Sequence, residues 1–134
     1  MKRAQLALQH HLLELEQIVA PPSAEYLPEV RIRLKAVFGL VKEHFRLEEQ
    51  DGYMKAVKEQ DQRFESDLQC LRDEHREMNR ELAKLADEAD ALQQMDAEFS
   101  EKVMSWIDGF RNHEKREIDL VQEAFDVDVG GEGG

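Results

Sequence analysis

The chain has little of what a secreted, membrane-bound or nucleic-acid-binding protein uses. Cysteine occurs once, at Cys70, so an intrachain disulfide is excluded and residence in the cytoplasm is expected. No long apolar run is present. The opening stretch MKRAQLALQHHLLELE turns apolar after two basic residues, but Gln5, Gln9, His10 and His11 interrupt it. That pattern argues against a signal peptide and against a membrane-spanning helix. Basic residues are outnumbered, 18 Lys and Arg against 30 Asp and Glu, for a formal charge of −12 and no basic patch. Binding to nucleic acid or to an anionic membrane is therefore not expected. There is no sequence repeat and no strand-like alternation of apolar and polar residues.

What is present is a helical pattern. The 134 residues suffice for one domain, and 41% apolar with 36% charged residues is the balance of a soluble helical bundle. Four helical segments are separated by three breaks. The first is PPSAEYLP at 21–28. The second is spread over Asp51-Gly52 and EQDQ at 59–62. The third is LQQMD at 92–96, where Asp96 is a good helix N-cap. The end, DVDVGGEGG, lacks periodicity, so a bundle over 1–125 and a flexible Gly-rich tail over 126–134 are expected.

Each segment carries one apolar seam with steps of three or four residues. The first runs Ala4, Leu8, His11, Leu15, Ile18. The second runs Val30, Leu34, Val37, Val41, His44, Glu48. The third runs from Phe64 through Leu68, Leu71, His75, Met78, Leu82, Leu85 and Ala89 to Leu92. The fourth runs from Phe99 through Val103, Trp106, Phe110, His113, Glu117 and Leu120 to Ala124. Such stripes fit helices packed nearly antiparallel, and short connections give an all-α, up-down-up-down four-helix bundle.

The ionisable residues on these seams are His11, His44, Glu48, His75, His113 and Glu117. Residues equidistant from a hairpin turn lie side by side, with about 1.5 Å of rise per residue. His44 and His75 are centred near the second break, His75 and His113 on the third, and His11 and His44 near the end of the first. The four histidines are thus expected in one layer. Glu48 and Glu117 each follow a histidine by four residues, on the same helix face. His10 competes with His11, and the seam favours His11.

Carboxylates in a dry core are costly unless a cation compensates them. An all-nitrogen-and-oxygen ligand set suits iron, manganese or zinc rather than calcium. Six protein ligands are too many for one reactive ion and suit two, bridged by the carboxylates and by an oxo or hydroxo ligand.

HFRLEE (44–49), DEHREM (73–78) and NHEKRE (112–117) resemble the hemerythrin-like, or HHE cation-binding, family, over roughly residues 4–125. The resemblance implies a four-helix bundle holding two non-haem iron ions. It makes His11, His44, Glu48, His75, His113 and Glu117 the ligands. Two positions depart from the oxygen-carrying hemerythrins. Asn79 stands where they have a second third-helix histidine, and Ile118 stands where they have a terminal aspartate. The site looks more like the four-His, two-Glu variety of di-iron proteins linked to iron–sulfur repair and to nitric oxide or oxygen stress. That puts reversible oxygen carriage in doubt and favours redox or sensing chemistry.

Other motifs fail. HEKRE at 113–117 ends in Glu117, not the histidine a zinc protease needs. No histidine follows a glutamate by three residues, as ferritin-like oxidases require. Trp106 and Phe110 are expected in the core, walling the site. Gly109 marks close packing or a small gap for a diatomic ligand. Tyr26 and Tyr53 are expected as surface or loop anchors, Glu43 and Glu49 as solvated neighbours, and Cys70 as inert. The functional expectation is a centre that binds or reacts with O2, NO or peroxide. An iron donor or store for repair of iron proteins, working with a protein partner, uses the same ligands. A plain interaction bundle with a degenerate site is the third reading.

Overall fold

The apolar stripes fold into four long helices and one short one. They are α1 (Lys2–Val19), α2 (Leu27–Gln50), α3 (Tyr53–Gln60), α4 (Glu65–Ala91) and α5 (Ala97–Gly133), with 3-10 turns at Ala24–Tyr26 and Gln62–Phe64. The structure, a computed structural model, describes the backbone of residues 2–20, 24–50 and 52–133 and the side chains of 6–20, 25–50 and 52–125. The expected seam residue Ala4, positions 21–23 of the first break, Asp51 and the side chains of the expected tail, 126–134, lie outside the described residues. Among the described residues there is no strand, and no helix is long and apolar enough to cross a membrane.

The helix ends follow from local chemistry. Asp96 caps α5 as its sequence position suggests: its carboxylate accepts from the Phe99 amide at 2.7 Å. Such a cap stabilises a helix by about 1 kcal/mol. At the other side of that turn, Arg31 of α2 donates to the Ala89 and Leu92 carbonyls at 2.8 and 2.6 Å. A guanidinium there satisfies carbonyls that the end of α4 leaves unpaired and complements the negative end of its dipole.

The four long helices form a ring in which α1 and α4 each lie beside α2 and α5. Cross-helix pairs fix the directions. Along α2 and α4 the partners run from Lys35–Asp90 to Glu49–His75. Along α4 and α5 they run from Glu88–Lys102 to Glu74–His113, and along α1 and α5 from Glu16–Arg111 to Gln9–Glu114. One number falls as the other rises in every case, so neighbours are antiparallel.

The core is split in two. The larger cluster fills the ring from Leu8, Leu12, Val19 and Leu27 up to Phe45 and Phe110. The smaller one gathers Met54, Val57, Phe64, Leu68, Leu71, Leu120 and Ala124 under α3. The interval between them, His75 on α4 and His113 to Glu117 on α5, is the polar layer. The second break is therefore not a simple turn: it contains α3, whose Met54 and Val57 close that end of the bundle. Gly52 lets the chain reverse there. A Cβ on it would lie 2.9 Å from Glu48 Cα and 3.0 Å from the Leu47 carbonyl oxygen, so only glycine fits without a shift.

Candidate metal centre

The seams of α4 and α5 deliver their ionisable residues as expected. His75, His113 and Glu117 are buried, at 1%, 0% and 4% exposure, which forces every polar atom among them to find a partner within the protein. On α2 the fully buried position is Phe45, and His44 and Glu48 flank it, with 18% and 14% of their side chains exposed. Five of the six expected ligands meet. His75, His113 and Glu117 offer donor atoms within 4.8 Å of one another, and so do His44, Glu48 and Glu117. Glu117 belongs to both groups.

The sixth, His11, is not brought to this cluster. The buried residues of α1 are Leu8, Leu12, Leu15, Ile18 and Val19, so the stripe passes through Leu12 and leaves His11 at its edge. Its Nδ1 lies 3.1 Å from Arg33 Nη1. Arg33 precedes His44 by three turns of α2, roughly 16 Å along the axis. Burial lowers the His11 pKa, with the Arg33 charge and His10 adding to it. Imidazole nitrogen accepting from arginine is the neutral form. The only hydrogen bond from a described α1 side chain near the cluster is that of Gln9, which donates to Glu114 Oε1 at 3.2 Å.

Two carboxylates outside the seams orient the imidazoles. His75 Nδ1 lies 2.7 Å from Glu49 Oε2, and His113 Nδ1 lies 2.7 Å from Glu74 Oε1. An ionised carboxylate only accepts, so each Nδ1 carries the proton. Each Nε2 then points inward at Glu117, where loss of its proton would leave the lone pair that a metal-binding histidine needs. Glu49 is thus not the solvated neighbour that its off-stripe position suggested. Glu74 is in turn clamped by Arg116, and Phe45 stacks on His75 with centroids 3.8 Å apart and planes 7° off parallel. Tyr53 is no surface anchor either: its hydroxyl donates to Glu117 Oε2 at 2.5 Å. These partners were not recognisable beforehand because helix periodicity ranks positions by burial, whereas Glu49, Glu74 and Tyr53 act from the flanks of the stripe.

Several inner atoms lack partners, whereas His75 Nε2 and Glu117 Oε2 meet within hydrogen-bonding distance. His75 Nε2 lies 3.2 Å from Glu117 Oε2 and 3.4 Å from Glu48 Oε1. His113 Nε2 and His44 Nε2 lie 3.4 Å from Glu117 Oε2 and Glu48 Oε2 respectively. His44 Nε2, His113 Nε2 and Glu48 Oε1 are buried without any hydrogen bond. Asn79, half-buried one turn after His75, has an unpartnered Oδ1 as well.

The electrostatics show an excess of acid. Burial and the neighbouring Glu117 charge push the Glu48 carboxyl up to about 10. Burial also opposes ionisation of Glu117, but His113, His75 and the Tyr53 hydroxyl outweigh it and hold Glu117 well below the usual carboxylate range. The pair thus keeps one proton and one charge. Burial lowers His44, whereas for His113 the Glu117 and Glu74 carboxylates overcome burial and raise it. Burial raises Tyr53 and Glu114. A cation among the inner nitrogens and oxygens would offset this excess.

A cleft of about 360 Å³ opens onto this layer beside α5, lined by Glu48, Tyr53, Glu114, Glu117, Ile118, Val121 and Gln122. Gly109 contributes no gap here. It lines a separate groove of about 660 Å³ with Met78 and Trp106 on the outer face of α4 and α5. Trp106 itself is buried, its indole N–H donating to the Met78 carbonyl at 3.0 Å and its ring stacked on Phe110.

No family model matches the chain, and no curated protein or solved structure matches it.

Proposed function

We propose that the chain holds a dinuclear non-haem iron centre in a hemerythrin-like bundle, and that the centre binds or reacts with O2, NO or peroxide. The observation that carries this reading is the inward set of imidazole nitrogens: His44 Nε2 and His113 Nε2 are buried without a hydrogen bond, His75 Nε2 faces Glu117 and Glu48, and the outer nitrogens of His75 and His113 are held by Glu49 and Glu74. A histidine kept merely for packing has no need of an outer carboxylate and an orphaned inner nitrogen.

The residues present fit such a group. His75 and His113 would hold one ion, His44 the other, with Glu117 and Glu48 shared between them. Bound iron would supply redox chemistry and open coordination positions for a small molecule. The rest of the work belongs to the chain. Glu49, Glu74 and Phe45 fix the imidazole planes. Phe45 and Phe110 keep water from the bundle side of the layer, since both are buried. The Tyr53 hydroxyl is the one phenolic proton at the layer among the described residues, and the cleft beside it gives small molecules an entry.

Anaerobic reconstitution with Fe(II), followed by iron analysis and absorption spectra with O2 and with NO, tests the proposal. Two irons per chain and a spectral response to either gas are expected. A ratio well below two sinks the dinuclear form.

A further inference from the structure

The two donor groups are unequal. One combines two imidazoles, His75 and His113, with Glu117; the other has a single imidazole, His44, with Glu48 and Glu117. The residue expected to balance them, His11, is engaged with Arg33 instead. Another side chain stands at the poorer end. Glu114 Oε2 lies 3.8 Å from His44 Nε2, an atom buried without a hydrogen bond. Gln9 holds the other oxygen, Oε1, at 3.2 Å, which leaves Oε2 turned toward His44. Glu114 precedes Glu117 by three residues on α5, so the two carboxylates share a helix face. Both line the cleft that reaches the layer, together with Glu48.

We infer that Glu114 is a metal ligand at the His44 end of the centre, filling the position that a first-helix histidine would otherwise occupy. This rests on the dinuclear reading above and adds to it a difference between the two ions. The first is held by two nitrogens and shared carboxylate, deep between His75 and His113. The second is held mostly by oxygen, next to the cleft. Nitrogen-rich sites bind late divalent first-row ions more tightly, and oxygen-rich sites bind them more weakly and suit manganese and ferrous iron. The second ion is therefore the exchangeable one, and the cleft is its route.

The test is stoichiometric titration of the metal-free full chain with Fe(II) under anaerobic conditions and, separately, with Mn(II), using competing chelators to resolve the steps. Wild-type protein is expected to bind two ions in two steps, the second weaker. Glu114→Gln, which keeps the side-chain volume and the contact with Gln9, is expected to keep the first step and weaken the second by at least about tenfold. His11→Ala is expected to keep both. Circular dichroism of each variant checks that the helices are intact. Two ions bound by Glu114→Gln with wild-type affinity overturn the assignment while leaving the dinuclear centre standing. Loss of the second ion in His11→Ala with retention in Glu114→Gln overturns it in favour of the histidine. Fewer than two ions in wild-type protein overturn the dinuclear reading and this assignment with it.

Discussion

Glu49 and His75 stand on different helices, 26 residues apart, and meet at 2.7 Å between Oε2 and Nδ1. The contact fixes the imidazole tautomer and so decides which nitrogen faces the interior. Glu74 does the same for His113 across the α4–α5 contact, and Arg116 holds Glu74 in place. The inner layer is thus oriented by carboxylates that the buried stripe does not include.

Removing either outer carboxylate should loosen metal without unfolding the bundle. Glu49→Ala and Glu74→Ala are each expected to weaken metal affinity by about 10- to 100-fold. Both side chains are only half-buried, so the helical signal in circular dichroism should persist. Competition with a chromophoric chelator measures the change. Wild-type affinity in both variants would mean that the imidazoles are oriented by something else.

The stripe on α1 makes a sharp contrast between neighbours. Leu12 is 0% exposed, so Leu12→Ala should cost about 2–5 kcal/mol through the cavity it leaves. His11→Ala should cost less, about 0.5–1.5 kcal/mol, the loss of its hydrogen bond with Arg33. Urea denaturation of the metal-free chain reads both. The reverse order would place His11, and not Leu12, in the core.

Gly52 has no room for a side chain. Gly52→Ala would put a methyl group 2.9 Å from Glu48 Cα and is expected to cost about 1–3 kcal/mol as the chain shifts. The shift falls between Glu48 and Tyr53, so metal affinity should drop along with the denaturation midpoint. An unchanged midpoint would show that α3 adjusts freely.

Stability without metal should depend on pH in a direction set by Glu48. Burial and Glu117 push its carboxyl up to about 10, whereas an unfolded glutamate titrates near ~4.3. Between those values the folded chain keeps a proton that the unfolded chain has lost. The contribution is full below the unfolded value and disappears as pH rises toward the folded one. Glu117 acts in the opposite sense and at lower pH: its depressed pKa gives stability above the unfolded value that is lost in acid. Thermal melts of metal-free protein from about pH 5 to about pH 9 should therefore fall more steeply for wild type than for Glu48→Gln, whose amide has no proton to lose. Added metal, which needs the ionised carboxylate, should bind more tightly as pH rises. Parallel melting profiles for the two proteins would show that Glu48 is already ionised in the fold.

Much of this was legible in the chain itself. Leu68, Leu71, Leu82, Leu85 and Ala89 on α4, and every seam residue of α5 from Phe99 to Ala124, are buried as the three-and-four spacing requires. The same spacing put His75, His113 and Glu117 in the core, because a continuous stripe admits little rotation of a long helix. Asp96 was recognisable as a cap from its place before an apolar run. The stripe was least binding where a helix is short of alternatives. On α1, His11 and Leu12 differ by one position, and either continues a pattern through Leu8 and Leu15.

The sequence by itself determined four amphipathic helices and an acidic, histidine-bearing layer within them, because residue spacing alone says which side chains share a helix face. Tertiary structure decided the rest. It chose Leu12 over His11 by the rotation of α1, brought Tyr53 to Glu117 through the short α3, and set Glu49, Glu74 and Glu114 beside imidazoles of other helices. Those contacts depend on how helices rotate and slide against one another, to within a fraction of a turn. Periodicity within one helix carries no information about that.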